Sequence, residues 1–153
     1  MAFPKPDPNL KPLAVGTVAP LFNAPASPNG QTVSLQSLRG QWVVLVFYPR
    51  DNTPGCTKQL CALGEDYGAF TALNAVVLGV NFGSFTSHQR FAERHSYPFP
   101  IVVDEERGIA KAYSCIKEDG GIARTVYVVN PEGVIAFAQQ GMAKHEAMKA
   151  VMV

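Results

Sequence analysis

Two of the three cysteines stand five positions apart in "FYPRDNTPGCTKQLC", residues 47–61, and the residues before the first of them can make a thiol nucleophilic. Thr53 followed by Pro54 is a helix start: threonine suits the N-cap, proline suits the first helical position, and Leu60, Leu63, Tyr67 and Phe70 continue at helical steps of three and four. Cys56 then falls in the first turn, where unpaired backbone N–H groups and the positive end of the helix dipole favour a thiolate over a thiol. Gly55 has no side chain to block a small substrate from approaching the sulfur or the neighbouring amides. A compact thiol-based site is expected here.

Cys61 is five residues further on, and in an intact helix Cα atoms at that spacing lie about 8–9 Å apart on different faces. A disulfide tolerates no more than about 7 Å. If the two cysteines bond, the first turns of the helix must unwind, so the reduced and oxidised forms would be different local structures. Gly64 and Gly68, each costing about 1 kcal/mol relative to Ala inside a helix, would ease that change. Taken alone, Cys61 is equally compatible with a small buried apolar side chain, the commonest role of a free cysteine. Cys115, in "AYSCIKEDGG", is expected to be buried and inert. The cysteines and His88, His95 and His145 show none of the C-x2-C or H-x3-H spacings that gather metal ligands, so no metal is expected.

The elements that would position this site can be read from periodicity. "WVVLVFY", residues 42–48, is apolar on both parities, as a central strand covered on both faces should be, and residues 75–80 look the same. Residues 99–104 and 124–130 are two further strand candidates, and Asn130-Pro131-Glu132-Gly133 turns the second into "VIAFAQ" as a hairpin partner. Asn29-Gly30 followed by the alternating Val33 and Leu35 suggests another hairpin, then a short turn toward Gly40. Helical patterns cover the Leu60–Phe70 stripe and residues 87–95, 108–113 and 142–153. Strands alternating with helices and closing in a hairpin imply an α/β fold, a central mixed sheet with helices on both faces, of which the thioredoxin-like sandwich is one solution.

At 153 residues the chain suits a single domain, able to bury about 68–70 % of its unfolded surface without disulfide support. We read residues 1–12, with prolines at 4, 6, 8 and 12, as an extended arm and residues 13–153 as the domain. The arm carries no apolar h-region, and the run Trp42–Tyr48 is far shorter than the roughly 20 residues that cross a bilayer. A cytoplasmic protein without a membrane partner is expected, and there three cysteines suit catalysis, sensing or burial better than a permanent disulfide framework. Thirteen basic and twelve acidic side chains, without a block of one sign, argue against a nucleic-acid partner.

"PRDNTPGC" places Pro49, Thr53 and Cys56 in the P-x-x-x-T-x-x-C arrangement of peroxiredoxins. With a second cysteine five residues on, the segment resembles the bacterioferritin comigratory protein or peroxiredoxin Q branch of that family. "SHQRFAERHSYPFPIVVDEE" and "GIARTVYVVNPEG" are similar to further family segments, so the resemblance runs from about residue 13 to residue 141. It implies a thioredoxin-fold, atypical two-cysteine peroxidase that reduces hydrogen peroxide and organic hydroperoxides. By the same resemblance Cys56 would be the peroxidatic cysteine and Cys61 the resolving one. Thr53 would hydrogen-bond the peroxide and the thiolate, Pro49 and Pro54 would shape the pocket with Gly55, and Arg124 would sit beside the sulfur. Without the family, Arg124 would be read as a solvated or ion-paired residue at a strand start.

The resemblance further implies a Cys56 sulfenic acid, an intramolecular Cys56–Cys61 disulfide and recycling by thioredoxin or a similar dithiol. Both cysteines lie in one chain, so a monomer suffices, and no cofactor, haem or flavin is called for. The chain departs from the family pattern after Cys61, where it reads "GED", and after Val80, where it reads "NFGSFTS". Two rivals stay open: a thiol-disulfide oxidoreductase on the same fold, which would want C-x-x-C, and a peroxide-responsive sensor or binding module that uses the unwinding to change a partner surface.

Overall fold

The structure is a computed structural model that describes residue 7 and residues 9–152. Residues 1–6 and 8, part of the expected arm, lie outside the described residues, as does Val153. Its frame is a five-stranded sheet built from β3 (Trp42–Phe47), β4 (Ala75–Asn81), β5 (Ile101–Val103), β6 (Thr125–Val129) and β7 (Ile135–Gln140), in the spatial order β5-β4-β3-β6-β7. β3, β4 and β5 run parallel, while β6 lies antiparallel to β3 and β7 antiparallel to β6. A small hairpin of β1 (Asn23–Pro25) and β2 (Thr32–Ser34) precedes the sheet, and a 3₁₀ turn, Gln36–Leu38, follows it.

The alternation along β3 sorts the core. Val43, Leu45 and Phe47 enter a cluster with Phe22, Leu35, Tyr113, Cys115 and Tyr127, covered by the β1–β2 hairpin and by α4 (Gly108–Ala112). Val44 and Val46, with Tyr48 beyond the strand, enter the opposite cluster with Cys56, Leu60, Leu63, Phe70, Phe91 and Met148. That face is covered by α1 (Pro54–Glu65), α2 (Tyr67–Ala72), α3 (Phe85–His95) and α5 (His145–Ala150). Successive strand side chains point to opposite faces, so a run apolar at every position must be buried on both. The result is the thioredoxin-like arrangement expected from the pattern.

The apolar stripe from Leu60 to Phe70 belongs to two helices, not one. The chain breaks at Asp66, whose carboxylate accepts from His145 Nδ1 at 2.9 Å and from Lys149 Nζ at 2.7 Å. Asp66 therefore ties the end of α1 to α5, and Gly64 and Gly68 sit near helix ends, not in one helix interior. The described part of the arm packs beside β7, where the Asp7 N–H donates to the Gln140 side-chain oxygen and Gln140 Nε2 donates to the Leu10 carbonyl; just after the arm, the Leu13 N–H donates to Tyr127 Oη on β6. At the β6–β7 turn Gly133 has φ +85°, and a Cβ there would lie 2.4 Å from Arg39 Cζ, so any side chain would force that guanidinium aside.

Candidate active site

The site forms where the C-terminal end of β3 meets the N-terminal end of β6. Antiparallel pairing sets Phe47 opposite Thr125, so Arg124, one residue before β6, lies beside the chain as it leaves β3 for the Pro49–Thr53 loop. The Arg124 carbonyl accepts from the Gly141 N–H at 2.6 Å, which anchors its backbone to the end of β7. The loop then turns into α1 with Thr53 as extended N-cap residue (φ −89°, ψ 152°), Pro54 as the first helical residue and Cys56 in the first turn. Cys56 is 1 % exposed and a free thiol.

Arg124 Nη2 donates to Cys56 Sγ at 3.3 Å, and its Nη1 donates to the Gln59 side-chain oxygen. Gln59, buried one turn along α1, thus aims the guanidinium at the sulfur; a glutamine in the helix gave no sign of this in the sequence. A fixed cation beside the sulfur and the sulfur's place in the first turn of a helix, at the positive end of its dipole, make an arrangement suited to stabilising negative charge there. Pro49 and Gly55 are half-buried around the loop, and Pro54 is exposed. Thr53 does not cap the helix with its side chain. Its hydroxyl donates to the Arg50 carbonyl at 3.0 Å, which closes the loop on itself and leaves the oxygen lone pairs as acceptors.

The loop is held from below by a polar cluster to which sequence reasoning gave no role. Asp51 accepts from Tyr48 Oη at 2.6 Å, Ser87 Oγ at 2.6 Å and His88 Nδ1 at 2.7 Å. The second His88 nitrogen lies 3.1 Å from the Asn81 carbonyl, and Asn81 Nδ2 donates to the carbonyls of Tyr48 at 2.7 Å and Pro49 at 3.0 Å. Burial alone would raise the Asp51 pKa, but the hydrogen bonds and charge of His88, with Ser87 and Tyr48, outweigh it and hold the carboxyl below its ordinary value. Burial, then the neighbouring Asp51 charge, push the Tyr48 phenol well up, so Tyr48 stays a donor. Ser87 and His88 belong to a segment quoted above for its family likeness. The signal for their use was a buried-strand end in Asn81 and a helix carrying two adjacent polar residues toward the core.

Cys61 lies on the same unbroken helix as Cys56, half-buried, a free thiol, with its Sγ 3.5 Å from Tyr97 Oη. Cys115 lies on the opposite face of the sheet, fully buried, donating to the Tyr113 carbonyl at 3.3 Å, and burial pushes its thiol up to about 12. Among the described residues no helix is long and apolar enough to cross a membrane.

With this geometry in view, residues 15–138 match the AhpC/TSA family. The putative peroxiredoxin Bcp of Coxiella burnetii is 34 % identical over 81 % of this chain and 86 % of its own length, and the peroxiredoxin Bcp of Bacillus subtilis is 38 % identical over 69 % and 71 %. Among solved structures, a cysteine-to-serine variant of Xanthomonas campestris peroxiredoxin Q superimposes with a TM-score of 0.79 at 28 % identity, covering 90 % of this chain and 94 % of that one. The chain belongs to the AhpC/TSA family, among the thioredoxin-fold peroxiredoxins of the Bcp and peroxiredoxin Q kind. It is an enzyme, a peroxidase that works through a cysteine thiol.

Proposed function

We propose that Cys56 is the peroxidatic cysteine, the observation that carries this being the Arg124 guanidinium 3.3 Å from its sulfur at a helix start. The Cys56 thiolate attacks one oxygen of the peroxide, the O–O bond breaks, and the other oxygen leaves as alkoxide or hydroxide to be protonated as alcohol or water. Arg124 and the first-turn amides stand where negative charge passes from sulfur to the departing oxygen, and donors fixed in advance stabilise such charge most. The Thr53 oxygen accepts a hydrogen bond from the peroxide O–H while its own hydrogen stays with the Arg50 carbonyl. Pro49, Pro54 and Gly55 form the wall through which only a small or slender hydroperoxide reaches the sulfur.

The Cys56 sulfenic acid is then resolved by Cys61. The Cys61 sulfur bonds to the Cys56 sulfur, the S–O bond breaks, and water leaves with the Cys61 proton. Both cysteines sit in one continuous α1, so the step requires that helix to open between them. Thioredoxin or a similar dithiol reduces the disulfide and closes the cycle. The substrates are hydrogen peroxide and organic hydroperoxides, in keeping with the alkyl peroxide reduction named for the Xanthomonas campestris bacterioferritin comigratory protein. We place the protein in the cytoplasm as a monomer, needing neither membrane nor nucleic acid, with residues 13–153 as the catalytic domain.

The test is peroxide consumption with a thioredoxin recycling system. Wild type turns over many times, Cys56→Ser does not react, and Cys61→Ser undergoes one oxidation without recycling. A wild type that reacts only once would overturn the peroxidase cycle in favour of sensing.

A further inference from the structure

Tyr97 follows the end of α3, where Ser96 adopts the left-handed conformation (φ 53°) and the Tyr97 N–H donates to the Ala92 carbonyl at 3.0 Å. Its backbone is thereby fixed. Its ring is stacked between His95 and Phe99, with centroids 5.4 and 5.3 Å away, and meets Phe91 edge-on at 5.2 Å. This holds the hydroxyl against α1. Tyr97 Oη donates to the Thr57 carbonyl at 3.4 Å and lies 3.5 Å from Cys61 Sγ. A phenol has one hydrogen, so both contacts hold together only if Tyr97 donates to Thr57 and Cys61 donates to Tyr97 as a neutral thiol. Burial pushes the phenol well up, which keeps that hydrogen in place.

Thr57 and Cys61 are the two ends of the helical turn that must open for Cys61 to reach Cys56. We infer that the Tyr97 hydroxyl is a latch on resolution: it pins the Thr57 carbonyl and the Cys61 thiol to the closed helix, and so sets how long the Cys56 sulfenic acid survives. Tyr97 touches no reacting atom of the peroxide step and is a positioning residue. The Tyr97-Pro98 segment also packs on α1 at Gly64, where an added Cβ would lie 3.4 Å from Pro98 Cδ and 3.9 Å from Tyr97 Cδ1, so the contact continues along α1 beyond Cys61. A sulfenic acid that waits for the latch is open to a second peroxide, which carries it to sulfinic acid. The latch therefore fixes the balance between recycling and over-oxidation.

This inference rests on Cys61 being the resolving cysteine, and the experiment separates the two. Reduced wild type and Tyr97→Phe are mixed with one equivalent of hydrogen peroxide, quenched at intervals, and mapped by mass spectrometry for trapped Cys56 sulfenic acid and for the Cys56–Cys61 disulfide. Tyr97→Phe keeps the aromatic stack, so Cys56 oxidation keeps its wild-type rate. Disulfide formation becomes about three- to tenfold faster, the worth of one or two weak hydrogen bonds. At excess peroxide the variant accumulates less sulfinic acid. A structural loss would slow the oxidation step as well, so the split between the two rates is the readout. Disulfide formation that is unchanged or slower in Tyr97→Phe overturns the latch with the resolver intact; a wild type that forms no Cys56–Cys61 disulfide overturns both.

Discussion

Cys56 and Cys115 are both buried, at 1 % and 0 % exposure, and they occupy opposite faces of one sheet. Exposure therefore does not distinguish the two sulfurs. Cys56 has a helix start beneath it and a guanidinium at 3.3 Å, whereas Cys115 has aromatic neighbours, a backbone carbonyl as its hydrogen-bond acceptor and a thiol pushed up to about 12. The difference teaches that the sheet supplies equal burial to both faces and that charge distinguishes them: one face sets a guanidinium beside its sulfur, while on the other burial outweighs the Thr125 hydrogen bond that favours a thiolate. Burial without such partners keeps a thiol protonated.

The contrast can be broken most sharply at Arg124. Arg124→Gln removes the cation while keeping a hydrogen-bonding side chain, and the second-order rate of Cys56 oxidation should fall by about 10²- to 10³-fold, the scale of losing one charge-stabilising donor. Stopped-flow peroxide consumption measures it. Asp51→Asn comes next. It discards the carboxylate that gathers Tyr48, Ser87 and His88 under the loop, and should lower stability by about 1–3 kcal/mol in urea unfolding with a smaller loss of rate.

The same carboxylate gives a pH signature. Its folded pKa lies below its unfolded value, so its contribution to stability is fully present above about pH 3.9 and is lost as pH falls through the lower folded value. The stability gap between wild type and Asp51→Asn, read by urea unfolding, should therefore be full above about pH 3.9 and narrow as the pH falls below it. The smallest effect belongs to the other face: Cys115→Ser should leave turnover unchanged while costing about 1–3 kcal/mol of stability for a hydroxyl in a site built for sulfur. A lost catalytic cycle there would erase the comparison.

Much of the reactive face was legible in local sequence. Thr53-Pro54 marks the helix start, and the apolar parity of Trp42–Tyr48 marks the central strand that leads to it. Both signals lie in the stretch that leads directly into Cys56. What was not legible depends on residues far apart in the chain. The helix break at Asp66 is set by His145 and Lys149, which reach it only once α5 has packed. Asp51 finds Ser87 and His88 across 36 and 37 positions, and Tyr97 finds Cys61 across 36. The Thr53 hydroxyl turned to Arg50 instead of the helix amides, a choice between two local acceptor and donor sets that residue type alone does not decide. Arg124 was placed by family likeness, and the β3–β6 register gives the physical reason for it.

The most direct test of the contrast between the two buried cysteines is to treat the reduced protein with one equivalent of hydrogen peroxide in the presence of a sulfenic-acid trap and to map the modified peptides. The account predicts that oxidation enters at Cys56 alone, as trapped sulfenic acid or as its disulfide with Cys61, with Cys115 recovered as free thiol. Oxidation of Cys115 at a comparable rate would contradict it, because burial would then have failed to silence a thiol that lacks a cationic partner.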